Sequence, residues 1–292
     1  MLVLALDEAT LDAVRAWTDT NVQVISLHTL EKCFPQLETV KALRSRMEYV
    51  FTLTPWLTQY AMDSRPEASW VTYLDADLYF FAAPEALFTE MEKSSVGIIA
   101  HRFTREQRWR EKYGIYNVAW VAFRPDTDGL ACLKWWSEQC LSWCYDRVEG
   151  DRFADQRYLD RFSEVIPSVT VIEHPGADLA PWNLRAHQIT TDGNGAPLVD
   201  GRPLVFFHFH GLRQEGQRFH FKHVPYLART TPAIRNAIYR PYCTELLAAE
   251  KAPTAARTEP LQRQETVLSR VRSGRRAALR RLGILRGDFV DI

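Results

Sequence analysis

The sequence predicts an α/β protein built on a mixed, mostly parallel sheet flanked by helices. Three observations lead there. Short runs rich in apolar and β-branched residues alternate with longer amphipathic segments. The run Trp70-Val-Thr-Tyr-Leu74 ends abruptly in Asp75-Ala-Asp77, as strands feeding a site at a sheet's carboxyl edge do. At 292 residues, 46% hydrophobic and 12% aromatic, the chain can bury a full core in one large domain.

Residues 2–6 are apolar and read as a strand. Asp7 and Glu8 interrupt the run at once, and no basic start or cleavage site marks it as a signal peptide. A helix follows at 8–17, then a strand at 22–26 and a polar stretch to about Val40. Ser45 with Glu48 three residues on forms a capping box for a long helix, which passes Pro55 only with a kink. After the strand at 70–74, Pro84 opens a helix at a first-turn position and 96–100 is another strand. Residues 117–123 form a strand and 126–145 a helix, with Leu130, Leu133, Cys140, Leu141 and Cys144 near helical spacing. The strands 169–172 and 204–209 close the set, and Thr191-Asp-Gly-Asn-Gly195 between them signals a hairpin. No internal repeat is visible.

Lys plus Arg and Asp plus Glu each total 36, so a whole-chain attraction to nucleic acid is not expected. The charge is uneven, however. Residues 251–292 carry ten basic and four acidic side chains, a net of +6, which leaves −6 on the first 250. The composition shift divides the chain into a domain at 1–249 and a basic tail at 250–292. The tail segments 267–272 and 277–285 read either as a solvated disordered stretch or as a basic amphipathic helix in peripheral contact with anionic membrane. The five cysteines, Cys33, Cys132, Cys140, Cys144 and Cys243, are too sparse for a disulfide framework and favour a reducing compartment. No apolar run approaches the roughly 20 residues needed to span a bilayer. A cytoplasmic location is expected, including the inner face of the cytoplasmic membrane.

The chemistry concentrates in Tyr73-Leu-Asp75-Ala-Asp77-Leu-Tyr-Phe-Phe81. Two carboxylates at i and i+2 repel unless a cation or hydrogen-bond donors compensate, and Mg²⁺ or Mn²⁺ prefers such oxygen ligands. A metal there can bridge the phosphates of a nucleoside diphosphate. By itself, Asp-x-Asp suits a solvated turn equally well.

Other segments agree with the metal reading: Ser45-Arg46, Tyr116-Asn-Val-Ala-Trp-Val-Ala-Phe123, Ala154-Asp-Gln156 and His208-Phe-His-Gly211. In this order they resemble the GT-A glycosyltransferases related to glycogenin and the bacterial lipopolysaccharide galactosyltransferases. The match is closer still to bacterial nucleotide-diphospho-sugar transferases and covers roughly residues 1–245. The resemblance implies a GT-A (Rossmann-like) fold and metal-dependent transfer of a sugar, with retention. The donor implied is a nucleoside diphosphate sugar, a UDP-sugar, and the acceptor a glycan or lipid-linked glycan in bacterial surface-glycan assembly.

By the same resemblance, Asp75 contacts the ribose and the metal, Asp77 ligates the metal, and His208 is the third ligand. His210 is the rival, since alternation along a strand puts both histidines on one face. Arg46 reaches the donor phosphates, or is an ordinary helix-surface arginine. Asp155 and Gln156 are the catalytic pair near the sugar and acceptor, or cap the following helix. Asn117 bonds sugar hydroxyls, or shapes a turn. Trp182 stacks on the acceptor, or is core. The family's Lys-Pro-Trp after His-x-x-Gly is absent, so Arg213 or Lys222 takes the phosphate-binding role. The first residues correspond to the family's second strand.

Two rival readings remain. A sugar-phosphate nucleotidyltransferase needs a glycine-rich phosphate loop after the first strand, and Leu6-Asp-Glu-Ala-Thr10 offers neither glycine nor lysine. A catalytically silent nucleotide-sugar binding protein is compatible with the same motifs.

Overall fold

The computed structural model describes residues 1–16, 21–250 and 289–292. The chain enters as β1 (Leu2–Ala5), α1 (Glu8–Arg15) and β2 (Gln23–Ser26), with the two strands parallel and Leu2 opposite Gln23. Asp7 caps α1 by accepting from Thr10 N at 2.8 Å. Trp17, the expected end of this helix, lies outside the described residues.

The stretch read as polar is helical: it holds α2 (Leu27–Cys33) and α3 (Glu38–Lys41). Ser26 caps α2 through Thr29 N, and Leu30 and Leu37 are fully buried. These are too few apolar positions to show a 3.6-residue period, so packing decides where the pattern does not.

Next comes α4 (Arg46–Ser64), opened by the expected Ser45/Glu48 capping box. It continues through Pro55. Burial of Tyr49, Leu53 and Trp56 against Leu30 and Leu37 compensates for the hydrogen bond that proline removes.

The main sheet contains β3 (Val71–Leu74), β5 (Val96–Ala100), β6 (Tyr116–Phe123) and β7 (Val169–Ile172), in the order β3-β6-β5-β7, while β4 (Leu78–Phe80) follows β3 into a separate pairing. The sheet is mixed as expected. The expectation of mostly parallel pairing is corrected here, because β6 runs antiparallel to both β3 and β5 and only β5 and β7 are parallel. The physical reason is the connection: a 3₁₀ segment, Arg105–Tyr113, turns the chain straight back from β5 to β6 where a parallel neighbour needs a crossover.

Helices α5 (Glu85–Glu90), α6 (Thr127–Ser142) and α7 (Phe162–Val165) complete this part. Cys132, Leu133, Trp136 and Cys140 of α6 pack on Val121 and Phe123. The helix stops at Ser142, short of the expected Tyr145, because Trp143 is extended.

Beyond the sheet, β8 (Ile189–Thr191), β9 (Pro197–Val199) and β10 (Arg202–Pro203) form an antiparallel meander around the expected 191–195 turn. The expected strand 204–209 narrows to β11 (Phe206–His208), which pairs antiparallel with β4. Then follow the hairpin β12 (Arg213–Glu215) and β13 (Arg218–His220), and α8 (Arg240–Glu250).

Within the stretch read as tail, β14 (Phe289–Asp291) pairs with β13, buries Val290 and holds Arg218 through Asp291 at 2.6 Å. The segments 267–272 and 277–285 lie outside the described residues. No helix among the described residues is long and apolar enough to cross a membrane.

Candidate metal centre

The site forms where two strands that are distant in the chain meet. After β3, Asp75 N donates to Ala119 O at 3.0 Å and Leu78 N reaches Asp75 O at 3.4 Å, which turns the chain into β4. In the β4–β11 pair His208 faces Leu78, and Phe209 N donates to Asp77 O at 2.9 Å. This brings His208 Nε2 to 3.0 Å from Asp77 Oδ1. One ligand atom each from Asp75, Asp77 and His208 lies within 4.8 Å of the others.

Electrostatics distinguishes the three. Burial pushes the Asp75 carboxyl up and neighbouring Asp77 adds to this, although His208 and the Tyr73 hydroxyl, donating at 2.9 Å, oppose it. Asp77 also feels burial, yet its bond with His208 holds it below the usual carboxylate range. For His208 burial disfavours the charged ring, but Asp178 and Asp77 on either side outweigh it and raise its pKa to about 10. Two carboxylates and one imidazole, once the ring gives up its second proton, make a donor set that fits Mn²⁺ or Mg²⁺.

Behind Tyr73 lies Asp155, which is buried. Burial raises its carboxyl to about 7, against a hydrogen bond from Thr54 of α4, and the charge of Asp75 pushes the same way as burial. The Thr54 hydroxyl lies between Tyr73 and Asp155 and eases the ionisation of both.

No family model matches the chain. YfnF of Bacillus subtilis (strain 168), described as an uncharacterized protein, is 33% identical over 220 residues, 73% of this chain and 72% of YfnF. The chain belongs to the YfnF family. YfnD of the same organism, also described as uncharacterized, is 26% identical over 249 residues, 84% of this chain and 79% of its own. Among solved structures, the galactosyltransferase LgtC in complex with donor and acceptor sugar analogs is 17% identical with a TM-score of 0.50. That match covers 89% of this chain and 86% of LgtC. The YfnF-family chain thus has the GT-A fold expected from its motifs.

The remaining residues singled out in the YfnF-family sequence fall as follows. His210 is separated from the trio: its Nε2 accepts from Lys222 Nζ at 2.7 Å, and burial with the Lys222 charge lowers its pKa to about 3. Asn117 points inward and is 3% exposed, its Nδ2 donating to both Asp178 oxygens at 3.0 Å. Gln156 is anchored on the backbone, with Nε2 on Tyr113 O at 2.9 Å. Trp182 is 4% exposed and stands edge-on to His208, so it belongs to the core beneath the site. Arg46 opens α4 and pairs with Asp7 at 3.5 Å, while Arg213 is exposed on β12 opposite His220.

Three residues beside the trio carried no assigned role: Tyr73, Thr54 and Asp178. Tyr73 and Asp178 stand in stretches rich in polar and aromatic residues, but only the fold shows that they face the site.

Proposed function

We propose that the chain is a metal-dependent glycosyltransferase, moving a sugar from a nucleoside diphosphate sugar, a UDP-sugar, to a glycan acceptor with retention. The observation that carries this reading is the convergence of Asp75, Asp77 and His208 at the carboxyl end of β3 in a GT-A fold. That LgtC was solved with donor and acceptor sugar analogs supports the same two ligand classes here.

Asp75, Asp77 and His208 hold Mn²⁺ or Mg²⁺ in this reading. The cation, when bound, supplies positive charge against the donor's two phosphates. The protein's own residues do the rest. Arg46, at the start of α4, and Arg213, beyond the trio, serve the donor phosphates. Asp155 and Gln156 form the floor on the sugar side: Asp155 retains a proton near neutrality, and Gln156 presents a fixed amide. Asn117 supports that floor from within. The nucleotidyltransferase reading is disfavoured by α1, whose N-terminus is already capped by the Asp7 carboxylate and so repels a phosphate.

The test is thermal unfolding with Mn²⁺, UDP and both together. A joint stabilisation is expected, about 2.7 kcal/mol when ligand stands at 100 times its Kd. Asp77→Ala is expected to abolish the joint effect while the metal-free protein still unfolds cooperatively. If the wild type shows no joint stabilisation, the donor site is lost. If folded Asp77→Ala retains it, the metal assignment is wrong.

A further inference from the structure

We propose that Asp178 is a positioning residue for the metal centre, fixing the proton of His208 on Nδ1 so that Nε2 faces Asp75 and Asp77 as a bare ligand. This deepens the metal-dependent reading above and rests on it.

Asp178 is 1% exposed, and a carboxylate so placed must be met by donors. Asn117 supplies one amide, at 3.0 Å from each oxygen. The His208 ring stands on another side, with Nδ1 at 3.7 Å from Asp178 Oδ1. The opposite ring nitrogen, Nε2, is the one that meets Asp77 at 3.0 Å, through a proton that a bound cation would displace. An imidazole that ligates through Nε2 carries its proton on Nδ1, and that proton needs an acceptor.

Asn117 Nδ2 lies 3.1 Å from Nδ1, but it is a donor already aimed at Asp178, and Asn117 Oδ1 receives Ala119 N at 3.2 Å. Among these neighbours the Asp178 carboxylate is the acceptor, and turning the ring as Nε2 takes up a cation closes the 3.7 Å between Oδ1 and Nδ1. His208 thus lies between two carboxylates with separate duties, Asp77 beside the ligating nitrogen and Asp178 behind the other.

The backbone carrying Asp178 is held to match. Asp178 has φ of 53°, a left-handed conformation that an aspartate adopts at a cost. Its carbonyl accepts from Asn183 Nδ2 at 2.9 Å. Arg102 reaches His174 O at 3.0 Å and also Ala177 O. The loop is clamped to the strand that bears His208: Val205 N donates to Gly176 O at 2.8 Å and His208 N to Leu179 O at 2.8 Å. Carboxylate and imidazole therefore belong to one locked unit.

The test compares wild type, Asp178→Asn and His208→Gln by titrating Mn²⁺ alone and following free Mn²⁺ by electron paramagnetic resonance. Asp178→Asn keeps the shape of the side chain and is expected to bind Mn²⁺ about 10- to 100-fold more weakly. A proton spectrum of the Co²⁺-loaded wild type needs no substitution at Asp178, and a purely structural role would leave it unmoved. It is expected to show one strongly shifted, slowly exchanging ring N–H that disappears in His208→Gln. Unchanged Mn²⁺ affinity in Asp178→Asn, or no such proton in the wild type, overturns the proposal. If Mn²⁺ binds the wild type, is lost in His208→Gln and is unaffected in Asp178→Asn, the metal reading survives and Asp178 alone is rejected. If the wild type binds no metal, both fall together.

Discussion

Asp77 and Asp155 are carboxylates of one site placed in opposite electrical surroundings. Asp77 has a side chain 44% exposed and is kept anionic by His208. Asp155 is buried, and desolvation lifts it to about 7. The folded state therefore binds a proton at Asp155 that the unfolded chain releases near pH 4. Stability from this group is fully present below pH 4 and is lost as pH rises toward 7. Asp155→Asn is expected to remove that fall. Stability of the metal-free protein, measured by urea unfolding, should then lose up to one proton's worth of pH slope between 4 and 7, about 1.36 kcal/mol per unit. An unchanged slope would show that Asp155 ionises normally. The same contrast explains why Asp-x-Asp is readable and Asp155 is harder to interpret. Spacing reveals that two charges must be close, whereas a raised pKa depends on burial beneath other elements and on the charge of Asp75.

Among the elements, those set by local chemistry matched their sequence signals. The Ser45/Glu48 box opens α4, and the 191–195 turn joins β8 to β9. Those set by distant packing did not. The helices at 27–33 and 38–41 are held by a few leucines, and β14 exists because β13 offers it an edge. Gly176 belongs to the second group: a Cβ there would lie 2.1 Å from Pro203 O and 3.0 Å from Val205 N, both backbone atoms that cannot turn aside. Gly176→Ala is expected to destabilise the protein by about 1–3 kcal/mol, since the loop must lift off the strand leading to β11. Urea unfolding measures this, and a loss below about 0.5 kcal/mol would mean that the loop is not clamped.

Across the whole molecule the buried histidines make the fold sensitive to acid, while the raised His208 makes it sensitive to alkali. Burial lowers the pKa of His101 to about 4 and of His223 to about 3. A histidine with a depressed folded pKa gives stability that is present above the unfolded value of about 6.5 and is lost as pH falls toward the folded one. With His210, also lowered to about 3, these groups outweigh the opposite slope of Asp155 below pH 6.5. His223 is the cleaner probe: it meets Thr230 at 2.9 Å and Tyr239 at 2.7 Å, away from the trio. His223→Gln is expected to lower stability at pH 7.5 by about 1–3 kcal/mol. It should also flatten the acid slope by up to one proton, read from urea unfolding at several pH values. At this scale the legibility of the site also becomes clear. Asp75 and Asp77 announce themselves locally, but His208 joins them only because β11 pairs with β4, and its place in the sequence reading came from family likeness alone.

That pairing makes the trio more than a place for chemistry. Its members belong to segments that lie about half the described chain apart, joined at β4 and β11 by three residue pairs. In the metal-dependent reading proposed above, a cation gripped by all three would fasten the late strand to the early one, much as a clasp closes a long loop. Stripping the cation should therefore loosen the molecule unevenly, first along the stretch that carries His208, and leave the β3-β6-β5-β7 sheet as the part that opens last.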